Sequence, residues 1–391
     1  MSDQALSPVF QLADRYVEEL ARLDPVFATS IGIRGFDTEY TDYSPEGLAQ
    51  RAELQRRTLA ELAATPAEGD RDRVATAFMR ERLEAGLALH ESGEDLRAVR
   101  IIGSPAGSIR QVYDLMPKET AADWEVIAAR MERVPTALAS FRQALEEGRA
   151  RGRMAARRQA VEASVQAATW AGEREARPFF ATLVEGARGI VGPGLQARLD
   201  AAVGPATEAY SAFAQYLREE YAPVAPVRDG VGPERYALLA RYSLGAEIDL
   251  EETYRWGWDE LHRIEADMEQ TAQRILPGGT VEEAKALLES DPARAIEGVD
   301  AFRQWMQDLQ DRTIAELDGR HFDIPEPVKR VEAMIAPPGT AAAMYYTRPS
   351  EDFSRPGRTW YPTLGKTRFP LWGEVSIAYH EGVPGHHLQG G

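Results

Sequence analysis

The chain has 391 residues, 44% of them hydrophobic and 27% charged, and it contains no cysteine. This composition is typical of a globular protein and excludes disulfides and cysteine-ligated metals. Its 45 Lys and Arg against 62 Asp and Glu give a net charge of −17, which disfavours nucleic acid and anionic membranes as partners. Neither a signal peptide nor a membrane-spanning apolar run is found, so we expect a cytoplasmic location.

Helical periodicity covers most of residues 1–228, which we treat as an N-terminal helical region. Ser7 and Pro8 indicate the start of a helix that stops at Asp24 and Pro25. The apolar spacing predicts further helices near residues 45–63, 70–90, 119–147, 153–188 and 194–220.

Residues 229–391 combine helices with short strands and are expected to continue the same fold. A helix begins near Pro233, and two more open on the capping patterns of Asp249 and of Thr280 with Glu283. The pattern predicts helices over residues 281–288 and 293–317, strands near 328–335, 341–346 and 358–361, and a last helix at 373–380. The fold class is therefore mostly α, with a small β-element just before the final helix.

The last twelve residues hold three of the six histidines. His380 and Glu381 match the opening of the zincin signature H-E-x-x-H, in which two histidines bind zinc and the glutamate acts on a water molecule. Position 384 is Pro384 rather than histidine, so the plain signature is absent.

A continuous helix cannot bring the histidines of this segment together. His386 would lie about 240° around the helix from His380, and His387 about 10 Å further along its axis. Gly382, Pro384 and Gly385 can interrupt the helix. We therefore favour His386 as the second metal ligand and keep His387 as the alternative.

The segment His-Glu-Gly-Val-Pro-Gly-His-His-Leu-Gln at 380–389 resembles the signature of the DUF885 family, which is similar in fold to M32 carboxypeptidases and other gluzincin-type zinc peptidases. Residues 230–236, 239–268 and 354–357 also look like family segments. The resemblance implies a large helical peptidase with a cleft, one zinc ion at its floor and a peptide substrate. It further implies His380 and His386 as zinc ligands, Glu381 as general base, and a role for His387 in orienting a ligand, contacting substrate or stabilising the oxyanion.

Gluzincins take a third ligand, a glutamate, from a helix downstream of the motif, whereas this chain stops at Gly391. We expect a truncated product whose two histidines alone bind zinc weakly or not at all, with weak or no peptidase activity.

Three residues before the motif are candidates for substrate binding. Tyr345 and Tyr346 lie in a strand that could pair with an extended peptide, or they pack the cleft wall. Arg348 could bind a substrate carboxylate. Two other functions use the same features: a non-catalytic helical scaffold that binds a peptide or protein partner, and a metal-dependent hydrolase of non-peptide amides.

Overall fold

The computed structural model describes residues 6–174, 177–337 and 343–391 and is mostly α-helical, as expected. The chain divides into two compact units, Met1–Ile248 and Asp249–Gly391. Within the described ranges, no helix has both the length and the apolar character that crossing a bilayer requires.

The first unit ends at Ile248, whereas the N-terminal helical region proposed from the sequence ends at residue 228. Its last helix, which follows that boundary, packs on the long helix Gly69–Ser92, where Arg241 pairs with Glu81 at 2.7 Å and with Glu84 at 3.3 Å. Its helices are α1 Pro8–Leu23, α2 Pro25–Ile31, α3 Pro45–Ala64, α4 Gly69–Ser92, α5 Pro105–Leu115, α6 Ala121–Met131, α7 Val134–Ala150, α8 Arg157–Trp170, α9 Phe179–Glu185, α10 Pro193–Tyr216 and α11 Pro233–Leu244.

Two long helices predicted in this unit are each divided in the structure. The expected helix over 119–147 breaks at residues 132–133 into α6 and α7, and the one over 153–188 breaks after Trp170 into α8 and α9. Helix α1 stops before Asp24 as predicted, whereas α2 was not predicted. The Asp24 carboxylate accepts a hydrogen bond from the Phe27 N–H at the start of α2. The chain can therefore turn between α1 and α2 without leaving the first amides of α2 unsatisfied.

Arg130 is a fully buried cation in the first unit. Its guanidinium donates to the carbonyl of Glu39 at 2.9 and 3.0 Å, to the carbonyl of Phe36 at 3.3 Å and to the Thr29 hydroxyl at 3.0 Å. One arginine thus joins Thr29 of α2 to two carbonyls of the loop that follows α2.

The second unit contains the short strands. Its elements are α12 Leu250–Ile275, α13 Val281–Ser290, β1 Ala295–Glu297, α14 Val299–Leu317, β2 Val331–Ile335, β3 Tyr345–Thr347, β4 Gly357–Tyr361, β5 Arg368–Pro370, α15 Leu371–Glu381 and α16 His386–Gly390. Strands β1 and β5 were not predicted, and β1 occupies residues assigned from the sequence to the start of α14. Residues 341–342 of the strand expected at 341–346 lie outside the described residues.

Two small sheets hold the motif helix in place. In the first, β4 lies between β2, to which it is parallel, and β3, to which it is antiparallel. In the second, β1 pairs with β5, the strand that leads directly into α15. Phe302 and Met306 of α14 pack with Phe369 of β5 and with Ala378 of α15. This core fixes the start of the motif helix and one of its faces.

Candidate metal centre

The motif helix is interrupted immediately after its first histidine and glutamate. Helix α15 ends at Glu381 and α16 begins at His386, with four residues between them. Across this break the Gly385 N–H donates to the Tyr379 carbonyl at 2.9 Å, and the His387 N–H donates to the Gly382 carbonyl at 3.0 Å. Both bonds span more than the four residues of an α-helical turn. The predicted glycine–proline interruption is confirmed.

Gly385 brings the returning chain against the end of α15. A Cβ atom at this position would lie 1.9 Å from the carbonyl oxygen of His380 and 2.5 Å from that of Tyr379. Only glycine permits so close an approach of the two backbone segments. The consequence is that the next residue, His386, lies beside His380 although six positions separate them.

His380, Glu381 and His386 form a cluster whose potential ligand atoms all lie within 4.8 Å of one another. The two imidazole rings are 4.8 Å apart between centroids and cross at 78°. The Glu381 carboxylate lies 3.9 Å from Nε2 of His380 and 3.9 Å from Nε2 of His386. Among the residues that the structure describes, no other group of His, Asp or Glu has this arrangement.

The carboxylate of the cluster is much less accessible than the imidazoles. The Glu381 side chain is 12% exposed, against 67% for His380 and 43% for His386. Burial raises the pKa of Glu381, and the two imidazoles oppose the shift. A carboxylate with a raised pKa beside two imidazoles is suited to accepting and returning a proton.

His387 does not join this cluster. It is fully buried, its Nε2 lies 2.6 Å from the Val328 carbonyl, and its Nδ1 lies 2.8 Å from the Tyr346 hydroxyl. Burial lowers the pKa of this imidazole. Because both ring nitrogens are engaged inside the protein, His387 is placed neither to bind the metal in place of His386 nor to contact substrate. Orienting a ligand, another role expected from the sequence, stays a prediction.

The three substrate-binding candidates lie in different surroundings. Tyr346 contacts both histidines of α16, with its ring 6.4 Å from that of His386, and burial raises its pKa to about 12. Tyr345, on the opposite face of β3, stacks on Trp360 at 5.9 Å. The structure therefore brings Tyr346 to the cluster, whereas Tyr345 packs elsewhere.

Arg348 is exposed and lies against α16, where its Nε would be 3.1 Å from a Cβ added to Gly390. It is thus near the end of the motif rather than among the three clustered side chains. Its role toward a substrate carboxylate stays a prediction.

Two glutamines near the cluster were missed by the sequence reasoning. Gln310 of α14 is buried, donates to the Thr359 hydroxyl at 3.1 Å, and has its carbonyl oxygen 2.7 Å from the Cβ position of Gly382. Gln389 has its Oε1 3.4 Å from Nδ1 of His386. Nothing in the sequence around Gln310 indicates that it lies near the cluster. Gln389 could have been found, because residues three positions apart on a helix are neighbours and Gln389 is three residues after His386.

Comparison with solved structures identifies proteins of similar fold, among them the following two. The crystal structure of "the putative lipoprotein from Colwellia psychrerythraea" has a TM-score of 0.78 at 22% identity, and the match covers 98% of this chain and 72% of that one. "A putative lipoprotein of unknown function from Shewanella oneidensis" matches with a TM-score of 0.61 at 15% identity and the same coverage. At these identities the likeness shows the fold alone. No curated protein matches the chain.

A family profile described as "Bacterial protein of unknown function (DUF885)" matches residues 25–391. This match covers nearly the whole chain and confirms the family expected from the motif. Neither the profile nor the solved structures connect the chain to M32 carboxypeptidases or to gluzincin peptidases, so that connection stays a prediction. The chain belongs to the DUF885 family.

Proposed function

We propose that this protein is a zinc-dependent peptidase whose site is built on His380, Glu381 and His386. The observation that supports the proposal is the convergence of these three side chains within 4.8 Å across a helix interruption. The two imidazoles are nitrogen donors that suit zinc, and the carboxylate beside them is the base of this proposal. In this proposal His380 and His386 hold the ion.

The chemistry that zinc supplies when bound is to lower the pKa of a water molecule and to polarise the carbonyl of the bond to be cleaved. The protein's own contribution is carried by Glu381. Its carboxylate lies 3.9 Å from both ligand nitrogens, which is close enough to reach a water between them. It accepts the proton of the attacking water and then donates that proton to the leaving amine.

The raised pKa of Glu381 supports this role. A carboxylate at its ordinary pKa of about 4.3 is a weak base toward water, and burial moves the pKa of Glu381 upward. Burial thus acts in the direction that makes the carboxylate a stronger base. The exposed His380 ring leaves one side of the cluster open to solvent, from which substrate can enter.

The test compares two isosteric substitutions in the same helix. With two histidine ligands alone, zinc binding and peptide turnover are expected to be weak. Glu381→Gln removes the base, and we expect it to lower the turnover of a peptide library by about 10²–10⁴-fold while leaving zinc binding at the level of the unaltered protein. Glu374→Gln is the matched control: Glu374 is a half-buried glutamate of α15 whose pKa is likewise raised by burial, and it lies outside the cluster. Zinc content is measured after dialysis and by competition with a chromophoric chelator.

Each outcome has a definite meaning. Unchanged turnover in Glu381→Gln refutes the general-base role. Zinc binding that survives His386→Ala and His380→Ala refutes the metal site. Hydrolysis of acyl amides without hydrolysis of peptides would indicate a non-peptide amidase using the same residues, and peptide binding without hydrolysis would indicate a scaffold.

A further inference from the structure

The imidazole of His386 is oriented by a neighbour on its own helix. Its Nδ1 lies 3.4 Å from Oε1 of Gln389, and an amide oxygen only accepts hydrogen bonds. In the tautomer in which Nδ1 donates to this oxygen, the lone pair is on Nε2. Nε2 is the atom that faces Glu381 at 3.9 Å. The tautomer set by Gln389 is thus the one that presents a ligand atom to the cluster.

The His386 ring also has an aromatic neighbour, Tyr346. The Tyr346 ring lies 6.4 Å from the His386 ring at an interplanar angle of 20°. Tyr346 is itself held in place, because its hydroxyl is 2.8 Å from Nδ1 of His387. The ring beside His386 is therefore tied to the residue that follows His386 in the chain.

The direction of each hydrogen bond in this chain of contacts can be assigned. Nε2 of His387 lies 2.6 Å from the carbonyl of Val328, which can only accept, so Nε2 carries the proton. In the neutral imidazole Nδ1 is then an acceptor, and the Tyr346 hydroxyl donates to it. The proton of Tyr346 is therefore committed to His387 and is not available to stabilise an oxyanion.

This chain of hydrogen bonds is enclosed by backbone. A Cβ on Gly357 would lie 2.5 Å from the Tyr346 hydroxyl oxygen and 2.6 Å from Nδ1 of His387. Val328 packs in the same small core as Val383 of the helix interruption. The donors and acceptors are thus fixed by β4 and by the turn before β2, independently of any bound ion.

We infer that Tyr346, His387 and Gln389 are positioning residues that hold the His386 imidazole with its Nε2 lone pair directed at the metal position. The inference rests on the proposed function only in taking His386 as a metal ligand. Hydrogen bonds to the groups around a metal ligand commonly change metal affinity by about 10–100-fold. His387 and Tyr346 accordingly act through His386 and do not touch the reacting atoms.

The first experiment measures geometry as well as affinity. In Tyr346→Phe the ring remains but the hydroxyl is lost, and we expect zinc affinity to fall by about 10-fold, with a shifted visible spectrum of the cobalt-substituted protein. The matched control is Thr347→Val, which removes the bond from the Trp360 indole to the Thr347 hydroxyl (3.0 Å) in the same strand. Zinc affinity and cobalt spectrum should be unchanged in this control.

A rescue pair tests His387 directly. In His387→Gln the side-chain amide can still donate a hydrogen bond to the Val328 carbonyl. In His387→Leu the side chain has no donor. We expect the glutamine variant to keep more of the zinc affinity than the leucine variant. Equal losses in the two variants would contradict the positioning role.

A measurement on the unaltered protein avoids any failure of a variant to fold. Long-range ¹H–¹⁵N spectra of the metal-free protein should show the proton of His387 on Nε2 and that of His386 on Nδ1. The opposite tautomers, or a Tyr346→Phe variant with wild-type affinity and cobalt spectrum, would overturn the inference. Undiminished zinc binding in His386→Ala would instead refute the proposed function, so the two failures are distinguishable.

Discussion

Gly385 offers the sharpest test of how the helix interruption builds the metal site. In Gly385→Ala the new Cβ would lie 1.9 Å from the His380 carbonyl oxygen, 2.5 Å from that of Tyr379 and 2.6 Å from the His380 carbonyl carbon. All three atoms are backbone, so no side chain can rotate to make room. The methyl group must therefore displace the chain segment that carries a proposed zinc ligand.

The displacement can be worked out from these contacts. Carbon and carbonyl oxygen approach to about 3.3 Å in close contacts, so the His380 carbonyl and the Gly385 backbone must separate by roughly 1.4 Å. Overpacking of this kind lowers the free energy of unfolding by about 1–3 kcal/mol. Because the shift is large against a Zn–N bond of about 2.1 Å, zinc affinity should fall by at least about 10-fold, as it does when a metal ligand's support is lost.

The assay pairs this variant with Gly373→Ala in α15. A Cβ on Gly373 would meet nothing within 4 Å, and alanine in a helix is more stable than glycine by about 0.5–1 kcal/mol. Urea denaturation should therefore give changes of opposite sign for the two variants, and calorimetric zinc titration should separate them further. Wild-type stability and zinc affinity in Gly385→Ala would refute the reasoning.

Three further outcomes are expected. Gly357→Ala should weaken zinc binding by about 10-fold in calorimetric titration, because its Cβ would separate Tyr346 from His387; unchanged affinity would contradict this. Arg130→Met should lower the free energy of unfolding by about 3 kcal/mol or more, since it removes the hydrogen bonds of a fully buried guanidinium to the Glu39 and Phe36 carbonyls and to the Thr29 hydroxyl. Arg133→Met, at an exposed arginine, should lower it by under about 1 kcal/mol in urea denaturation. Zinc at 100 times its Kd should stabilise the protein by about 2.7 kcal/mol, which is measured as an increase in Tm that EDTA reverses. A Tm that changes with neither zinc nor EDTA would contradict the metal site.

Local chemistry made many helix boundaries predictable. The Thr280 hydroxyl accepts from the Glu283 N–H while the Glu283 carboxylate accepts from the Thr280 N–H, which is the capping box expected from the sequence. Helix α1 begins at Pro8 as predicted, but the Ser7 hydroxyl donates to Asp72 at 2.8 Å instead of capping the helix. The start of α1 is determined by residues next to it in the sequence. The hydrogen-bond partner of Ser7 comes from α4, which is distant in the sequence.

Strands β1 and β5 were missed because neither carries a signal of its own. Each has three residues, and their antiparallel pairing joins Ala295 to Pro370 across a long stretch of chain. A proline at the end of so short a run argues against a strand when only the sequence is read. The two strands pair beside the core in which α14 and α15 pack together, and that core joins residues distant in the sequence.

The sequence limited the second metal ligand to His386 or His387 but could not exclude either of them. Spacing identified the interruption and favoured His386 over His387. What separates them in the structure is the Val328 carbonyl and the Tyr346 hydroxyl, which engage both nitrogens of His387. Those partners come from other elements, so no pattern within the motif could have assigned the buried role of His387.

The anchoring of His387 also has a consequence for how the protein folds. Its two hydrogen-bond partners lie 59 and 41 residues away along the chain, whereas the bonds within helices such as α14 join near neighbours. Contacts between distant residues form more slowly than local ones, because a longer loop must be closed first. We therefore expect the bonds that anchor His387 to form later in folding than the bonds within helices such as α14.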